Sequence, residues 1–315
     1  MKILLSDCLT LTKDGDIDLN VFEKYGSVTC KDNIKEDELL SVIGEYDAVL
    51  CNKTNINKAV IDAAQKLSYI GVFATGYNNI DIKEATKKGI TVCNAGTYST
   101  NSVAQQTFAY ILYHTNKIAE YDKRVKSGEW KTSKTFTILG EKTEELAGKT
   151  IGIIGYGNIG KKVADIALAF DMNVLVYSRS KKEDNRVTFT DFKILLQESD
   201  IVTVHCPLNE QSKGMFDKKA FSLMKKDALF INTARGPIVN ESDLLDVLSS
   251  KKIYAAIDVL DKEPMEKDNL LFGAPNIIIT PHVAWAPLQT RKRLIDITVK
   301  NLENFINGTP TNKVN

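Results

Sequence analysis

Residues 149–160 read Lys-Thr-Ile-Gly-Ile-Ile-Gly-Tyr-Gly-Asn-Ile-Gly, and this stretch decides the fold. Its apolar first half is typical of a buried strand. Gly155, Gly157 and Gly160 follow at the spacing Gly-x-Gly-x-x-Gly. Helix-forming residues 161–170 come next. The glycines allow a sharp turn and let a pyrophosphate approach the start of the helix, where free N–H groups favour an anion. The stretch therefore predicts a strand-turn-helix unit that binds a dinucleotide.

Short apolar segments alternate with helix-forming segments after this motif. The apolar segments predict strands at residues 172–177, 200–205, 228–232, 253–260 and 276–280. The segments between them predict helices at residues 190–196, 217–224 and 240–250. Asn240 is the expected N-cap of the last of these helices, and Asp243 in its first turn favours the helix dipole. Strands that alternate with helices in this way form a parallel sheet with helices on both faces.

The first hundred residues repeat this alternation without a glycine-rich turn. Strands are predicted at residues 2–5, 47–51, 68–73 and 90–94, and helices at 36–44, 57–66 and 81–88. Because no phosphate-binding loop occurs here, the segment predicts a second α/β domain with a different role. The expected fold class is α/β with two doubly wound parallel sheets, a flavodoxin-like domain and a Rossmann domain.

Three further segments define the expected domain bounds. Residues 101–126 are predicted to form one long helix, and residues 128–145 a polar and aromatic arm that packs on a partner. Residues 288–306 predict a final amphipathic helix that returns to the N-terminal domain. The predicted domains are residues 1–100 with 286–315, and residues 101–285.

The composition limits the functions open to the protein. At 315 residues with 43% hydrophobic residues, the chain is long enough for two cores. A net charge of +1 gives no electrostatic basis for binding nucleic acid or an anionic membrane. No apolar stretch approaches the roughly 20 residues that span a bilayer, and residues 1–7 predict a strand, not a signal peptide. The five cysteines include no Cys-x-x-Cys pair, which predicts reduced thiols, a cytoplasmic location and no metal centre.

Three histidines are available for acid–base chemistry. His114 lies on an apolar helix face and is interpreted as structural. His205 ends a predicted strand, and backbone contacts to a ligand explain its loop equally well. His282 follows the last predicted strand at the carboxyl end of the sheet, where open α/β sheets place reactive groups. This position favours a catalytic role for His282.

Two charged residues share that sheet edge with His282. Arg235 follows the strand at 228–232, and Glu263 follows the strand at 253–260. Each alone is typical of a surface charge beside a turn, but three such residues after three strands of one sheet are expected to converge. The forked donors of an arginine suit a carboxylate or a polarised carbonyl. A carboxylate beside a histidine stabilises the imidazolium.

Asp258 interrupts the apolar strand predicted at residues 253–260. A buried carboxylate without a partner is costly, so a polar partner is expected for it. An amide of a bound cofactor would serve, which makes Asp258 a candidate cofactor contact.

Nearly the whole chain resembles the D-isomer-specific 2-hydroxyacid dehydrogenases. The resemblance rests on residues 76–81, 102–105, 152–160, 232–236, 258–264 and 281–282. It implies that His282 is the acid/base, Glu263 its partner and Arg235 a substrate-binding residue. It also implies that backbone N–H groups at Thr75 and Gly76 hold the substrate carboxylate, so that the N-terminal domain is the substrate domain.

The resemblance also implies contacts to a nicotinamide cofactor beyond the glycine turn. These contacts are expected at Asn158, Ile159, Cys206, Pro207, Asn209, Thr233, Ala234 and Asp258. Asn209 stands where many relatives have threonine, so a polar contact is kept there.

The end of the second Rossmann strand bears on the choice between NAD and NADP. NAD-binding domains usually have an acid there that bonds the ribose hydroxyls. Here residues 178–182 read Ser-Arg-Ser-Lys-Lys, and Glu183 and Asp184 lie beyond the expected position. Ser178 and Arg179 are therefore candidate cofactor contacts, and Arg179 is placed to bind a 2′-phosphate. We therefore expect NADP in preference to NAD. The alternative interpretation of residues 178–182 is a solvated basic loop with no role in binding the cofactor.

The resemblance implies reversible hydride transfer between NAD(P)H and C2 of a small 2-oxo acid. Residues 94–98 and 282–285 are most similar to the glycerate dehydrogenase (hydroxypyruvate reductase) branch, which favours hydroxypyruvate or glyoxylate. A reductase of the D-lactate or 2-ketogluconate type is an alternative. An NAD(H)-sensing protein like the corepressor branch of the family is a further alternative. A homodimer is expected, with residues 101–145 as its contact region.

Overall fold

The structure is a computed structural model that describes residues 1–140, 142–180, 183–250 and 252–315. The chain divides into two compact units. The first unit contains Met1–Ser99 and Trp285–Asn315, and the second contains Thr100–Ala284.

The elements of the described residues, in chain order, are short strands and helices that alternate along both units. The strands are β1 Lys2–Leu5, β2 Ser27–Cys30, β3 Ala48–Cys51, β4 Tyr69–Val72, β5 Thr91–Cys93, β6 Thr150–Ile154, β7 Asn173–Tyr177, β8 Thr188–Phe189, β9 Ile201–Val204, β10 Leu229–Asn232, β11 Tyr254–Ile257 and β12 Ile277–Ile279. The helices are α1 Glu36–Val42, α2 Lys58–Ala63, α3 Ile82–Lys87, α4 Thr100–Asn116, α5 Ile118–Lys126, α6 Asn158–Ala169, α7 Phe192–Glu198, α8 Lys218–Leu223, α9 Glu241–Ser249 and α10 Leu288–Ile306.

Each unit contains one parallel sheet in its described residues. The first has the strand order β2-β1-β3-β4-β5, and the second has the order β12-β11-β10-β9-β6-β7-β8. Both orders reverse direction at the unit's first strand, as in flavodoxin-like and Rossmann folds respectively. The predicted class, two doubly wound α/β domains, is confirmed. Ligands of such sheets bind outside the carboxyl ends of the strands.

The final helix α10 belongs to the first unit. Leu294 and Leu302 on one face of α10 are buried in the same core cluster as Ile3 and Phe73. Phe305 lies against the ring of Tyr69, with ring centroids 4.8 Å apart. Burial of this apolar stripe against the sheet accounts for the period of the sequence pattern.

The predicted single helix over residues 101–126 is wrong. Helix α4 ends at Asn116, and Lys117 takes a left-handed backbone conformation with φ of 51°. A left-handed residue cannot continue a right-handed helix, so α5 begins afresh at Ile118. Neither glycine nor proline marks this break in the sequence, which is why the pattern did not reveal it.

The expected helix cap at Asn240 is confirmed. Its side-chain oxygen accepts hydrogen bonds from the N–H groups of Ser242 and Asp243 at 3.1 and 3.2 Å. Two edge strands, β2 and β8, were not predicted. They are only four and two residues long and lack fully buried positions, so their apolar pattern is weak.

Candidate active site

The glycine-rich turn between β6 and α6 admits only glycine at two of its positions. A Cβ on Gly155, where φ is +95°, would lie 2.7 Å from the backbone N of Cys206, and a Cβ on Gly160 would lie 2.1 Å from the carbonyl oxygen of Gly155. Gly157 differs, since a Cβ there would meet nothing within 4 Å. Open space at Gly157, directly before the first turn of α6, is what a pyrophosphate needs to approach the helix N–H groups.

A cavity of about 860 Å³ opens beside this turn. Its lining comes from the glycine turn and from the loops that follow β7 and β9. The lining residues that were predicted as cofactor contacts are Gly155, Gly157, Ser178, Arg179, Cys206, Pro207 and Asn209. Asn158, Ile159 and Gly160 are the first residues of α6. The volume is typical of a ligand pocket.

Thr233 supplies a second sign of a bound group. Its hydroxyl is buried and has no hydrogen-bond partner among the described residues. Buried polar atoms are nearly always paired, so an orphaned one indicates a partner that the protein chain does not provide. Thr233 and Ala234 lie in the loop after β10, and buried Asn232 fixes this loop by accepting the Ala234 N–H at 3.0 Å. The residues present therefore fit a nicotinamide dinucleotide.

The basic loop after β7 is tied to the loop after β9. A guanidinium N–H of Arg179 donates to the side-chain oxygen of Gln211. Asp184, one of the two acids that follow this loop in the sequence, accepts from the Tyr156 hydroxyl at 2.8 Å and from Arg186 at 2.7 Å. The Arg186 guanidinium, with Tyr156, holds the pKa of the Asp184 carboxyl well below its usual range. The acid is thus engaged with protein donors at the base of the loop.

Asn209 differs in part from its expected role. Its side-chain oxygen accepts the backbone N–H groups of Gln211 and Ser212 at 3.0 and 3.1 Å. The oxygen predicted to contact a cofactor therefore closes a turn of its own loop. Such a local bond is typical of asparagine in turns.

The carboxyl ends of β10, β11 and β12 lie side by side, because these strands are neighbours in one parallel sheet. Arg235 follows the first, Glu263 the second and His282 the third. The first two loops are in direct contact: a Cβ on Gly236 would lie 1.9 Å from the carbonyl carbon of Leu260. Any side chain at residue 236 would force these loops apart.

His282 and Glu263 are brought together at this edge. Imidazole Nδ1 of His282 lies 2.6 Å from Oε2 of Glu263. The other carboxylate oxygen of Glu263 accepts the N–H of Leu260 at 3.0 Å, so both oxygens are held. A histidine whose Nδ1 is bonded to a carboxylate presents Nε2 for proton exchange with a ligand.

Arg235 is half-buried on the neighbouring loop. Its guanidinium donates to the carbonyl of Ala234 at 2.7 Å, and the side chain of Asn232 donates to the carbonyl of Arg235 itself at 3.0 Å. These bonds fix a planar cation at the same sheet edge as His282. A planar guanidinium suits a carboxylate better than a lysine would.

Asp258 differs from the sequence-based expectation. Strand β11 ends at Ile257, so Asp258 directly follows the strand and does not interrupt it. It is 1% exposed, and its carboxylate accepts the N–H groups of Val283 and Ala284 at 2.9 and 2.8 Å and the hydroxyl of Thr280. Asp258 therefore has the polar partners that were expected, but protein groups provide them and not a cofactor amide. These partners lie on both sides of His282 in the sequence.

The other two histidines contact groups of the protein, and His205 also lines the cavity beside the glycine turn. His114 contacts the ring of Tyr254 at a centroid distance of 4.4 Å, and burial lowers the pKa of His114 to about 4. Burial lowers the pKa of His205 to about 3, and its ring nitrogen lies 2.9 Å from the hydroxyl of Thr203. Both rings are neutral at neutral pH, which favours structural roles.

Thr75 and Gly76 lie in the first unit, in the loop after β4. The Thr75 hydroxyl donates to the carbonyl of Gly96 at 2.5 Å, and the side chain of Asn94 donates to the carbonyl of Thr75 at 2.7 Å. Across the described ranges, the N–H groups of Thr75 and Gly76 donate to no protein acceptor. Two such N–H groups on a fixed loop are able to bind a carboxylate.

Three residues of the site were not identified from the sequence. Gln211 bonds Arg179 from a different loop, and only the topology brings the two together. Thr280 and Tyr110 contact each other across 170 positions of the chain, at 2.5 Å. For Thr280 a signal existed, because a polar residue stands at the end of an all-isoleucine strand directly before Pro281.

Two further features are not found among the described residues. These residues contain no group of three or more His, Cys, Asp and Glu side chains arranged to hold a metal ion. No helix in the described ranges is both long enough and apolar enough to cross a membrane.

The fold and the site together define a class, a dinucleotide-dependent oxidoreductase with a histidine–carboxylate pair. Comparison with known proteins makes the class specific. Residues 108–284 match the family model of the D-isomer specific 2-hydroxyacid dehydrogenase, NAD binding domain. The chain belongs to the D-isomer-specific 2-hydroxyacid dehydrogenases, as predicted from the sequence, and its cofactor is a nicotinamide dinucleotide.

Known proteins of similar sequence or structure match most or all of the chain. The chain is 39% identical over 322 residues to a hydroxypyruvate reductase of Blautia hydrogenotrophica, covering 100% of both chains. It is 38% identical to a glyoxylate reductase of Thermococcus litoralis, over 88% of this chain and 86% of the relative. The solved structure of an acyclic imino acid reductase in complex with NADPH and D-Arg superimposes with a TM-score of 0.87 at 30% identity, covering 100% of both chains.

Proposed function

We propose that this protein reduces a small 2-oxo acid, hydroxypyruvate or glyoxylate, to D-glycerate or glycolate with NAD(P)H, in a reversible reaction. The observation that carries the proposal is the 2.6 Å contact between His282 and Glu263, at the sheet edge that also holds Arg235. A carbonyl that accepts a hydride needs a proton donor and a cation nearby, and this edge provides both.

Each protein group has a separate task in this reaction. His282 donates its proton from Nε2 to the developing alkoxide, and Glu263 stabilises the imidazolium before transfer. The guanidinium of Arg235 binds the substrate carboxylate and orients the carbonyl. Thr75 and Gly76, in the first unit, are retained as proposed substrate contacts through their backbone N–H groups. The cofactor, when bound, supplies the hydride.

The dinucleotide is held by backbone groups and by a few polar side chains. Asn158 and Ile159 offer N–H groups in the first turn of α6 to the pyrophosphate. The orphaned hydroxyl of Thr233 is supplied with a partner by the bound cofactor. The remaining proposed contacts are Gly155, Gly157, Gly160, Ser178, Cys206, Pro207, Asn209, Ala234 and Asp258.

The cofactor is NADP in preference to NAD. Arg179 is part of the loop that follows β7 and lines the cavity. Its guanidinium donates a hydrogen bond to the side-chain oxygen of Gln211. The carboxylate of Asp184 is bonded to Arg186 and Tyr156 and is not placed to bond ribose hydroxyls. A guanidinium in this loop favours a 2′-phosphate.

The active form is a homodimer whose contact includes α5 and the arm after it. No described side chain of α5 is buried, and Phe136 and Leu139 in the arm are 90% and 86% exposed. Apolar side chains exposed to this degree on neighbouring segments are typical of a protein–protein contact. All five cysteines are free thiols, which supports the proposed cytoplasmic location.

A substrate panel tests the proposal. Initial rates are measured with hydroxypyruvate, glyoxylate, pyruvate and 2-ketogluconate, each with NADH and with NADPH. We expect kcat/KM to be highest for hydroxypyruvate or glyoxylate, as the names of the two relatives suggest. Higher values for pyruvate or 2-ketogluconate would contradict the substrate assignment, and no turnover of any 2-oxo acid would contradict the proposed function.

A further inference from the structure

A series of hydrogen bonds connects helix α4 to the loop of His282. The hydroxyl of Tyr110 lies 2.5 Å from the hydroxyl of Thr280, and the Thr280 hydroxyl bonds Oδ1 of Asp258. A carboxylate oxygen accepts hydrogen bonds, so the Thr280 hydroxyl donates its single hydrogen to Asp258. Tyr110 is therefore the donor to Thr280. We call Tyr110, Thr280 and the Asp258 carboxylate the hydroxyl series.

The far end of the hydroxyl series holds the backbone on both sides of the proposed acid/base. The carbonyl of Asp258 accepts the N–H of His282 at 2.8 Å, while its carboxylate accepts the N–H groups of Val283 and Ala284. His282 has φ of +56°, a left-handed conformation that residues with a Cβ rarely adopt. Such a conformation persists only where its surroundings hold it.

Tyr110 is not itself in contact with the cavity. It is 4% exposed, belongs to the core cluster of the second unit, and is absent from the lining of the cavity beside the glycine turn. Burial raises the pKa of Tyr110, so its hydroxyl remains a hydrogen donor at neutral pH. A role in the core alone would require the ring and not the hydroxyl.

We propose that Tyr110 is a positioning residue, which acts through Thr280 and Asp258 to hold His282 in the backbone conformation that directs its imidazole toward Glu263. The inference rests on the proposed function for its kinetic readout. Without the Tyr110 donor, the Thr280 hydroxyl is free to rotate, and one bond that fixes the Asp258 carboxylate is weakened. The imidazole then departs from its productive geometry in a fraction of the molecules.

The first experiment removes single hydroxyls. Tyr110→Phe keeps the ring in the core, and we expect kcat to fall about tenfold, the value of one lost hydrogen bond. Thr280→Val should give an equal or larger fall, and Thr280→Ser should retain activity. Tyr113→Phe on the same helix is the matched control, since Tyr113 is exposed, and it should leave kcat unchanged.

A double variant tests whether the groups act in series. If Tyr110 acts through Thr280, the variant with both Tyr110→Phe and Thr280→Val should have the kcat of Thr280→Val alone. Multiplied losses in the double variant would overturn the proposal, because they would show that Tyr110 acts by another route. Wild-type kcat in Tyr110→Phe would overturn it as well.

Imidazole NMR separates this inference from the proposed function. Of the three histidine signals, the one absent in His282→Gln identifies His282, and its bonded Nδ1 proton reports the contact with Glu263. We expect Tyr110→Phe and Thr280→Val to shift that signal and to leave His205 in place, whether or not the wild type reduces a 2-oxo acid. An unshifted His282 signal in both variants would overturn the positioning role, whereas a shifted signal in an inactive protein would contradict only the proposed function.

Discussion

Nδ1 of His282 and Oε2 of Glu263 are 2.6 Å apart, although 19 positions separate them in the chain. The two side chains follow neighbouring strands, so the sheet brings them together. The second oxygen of Glu263 is fixed by the N–H of Leu260. The carboxylate is thus oriented by the protein itself, which is the arrangement a histidine acid/base requires.

Removing the imidazole is expected to abolish most turnover. In His282→Gln, kcat for 2-oxo acid reduction should fall about 10²–10⁴-fold, the usual contribution of a positioned proton donor. Cofactor binding, measured by quenching of protein fluorescence, should be unchanged. His114→Gln is the matched control, because His114 packs on Tyr254 away from this edge, and it should keep wild-type turnover. Near-normal rates in His282→Gln would refute the assignment.

Replacing the carboxylate should lower turnover. In Glu263→Gln, Nδ1 of His282 loses its charge-assisted hydrogen bond, so kcat should be about tenfold lower. The measurement is kcat for reduction of the 2-oxo acid. Glu266→Gln in the same segment, where the side chain is 53% exposed, is the control and should leave kcat unchanged. Equal kcat values for Glu263→Gln and the wild type would contradict the role of Glu263.

The choice of cofactor is expected to depend on Arg179. Arg179→Ala should raise KM for NADPH about 10–100-fold, since a charge-assisted bond to phosphate is lost. KM for NADH should stay within about twofold, so NADH kinetics provide the internal control. Gln211→Leu should raise KM for NADPH by a smaller factor. Equal effects on both cofactors would show that Arg179 does not bind a 2′-phosphate.

His114 should make the protein less stable in weak acid. Its pKa is about 4 in the folded protein against 6.5 when unperturbed. Between these values only the unfolded chain is protonated, so the stabilisation is complete above pH 6.5 and is lost as the pH falls toward 4. Between pH 7 and pH 5, the free energy of unfolding of the wild type should fall by on the order of 2 kcal/mol more than that of His114→Phe. Parallel denaturation curves at the two pH values would contradict this.

The proposed dimer contact can be tested with charge. Phe136→Glu combined with Leu139→Glu should convert a dimer to a monomer in light scattering, because two carboxylates cannot be buried without partners. Phe272→Glu is the control, since Phe272 is also strongly exposed, at 76%, but lies outside the arm. A dimer that survives the double change, or a wild type that is monomeric, would rule out this contact.

Much of the fold follows from local sequence patterns. The order strand, Gly155-x-Gly157-x-x-Gly160, helix predicted a dinucleotide domain because few other structures need glycine at this spacing. The break at Lys117 escaped prediction, since lysine has no preference for the left-handed conformation that it takes here. Strand β8 is too short to produce a pattern of its own.

The residues of the candidate site could be predicted where they directly follow a predicted strand. Arg235, Glu263 and His282 could be identified because each follows a strand of one parallel sheet. The partners of Asp258 could not, because Val283 and Ala284 contribute backbone N–H groups, which have no sequence signature. Gln211 and Tyr110 were missed for a related reason, because their partners lie far away in the chain.

The division into two compact units has an evolutionary consequence. The proposed proton donor, its carboxylate and the glycine turn all lie within Thr100–Ala284, whereas Thr75 and Gly76 belong to the other unit. Under the proposed function, changes in the loop after β4 would alter which acid is accepted and would leave the residues of the second unit unchanged. A lineage could in this way acquire new metabolic roles by modifying only the smaller of the two units.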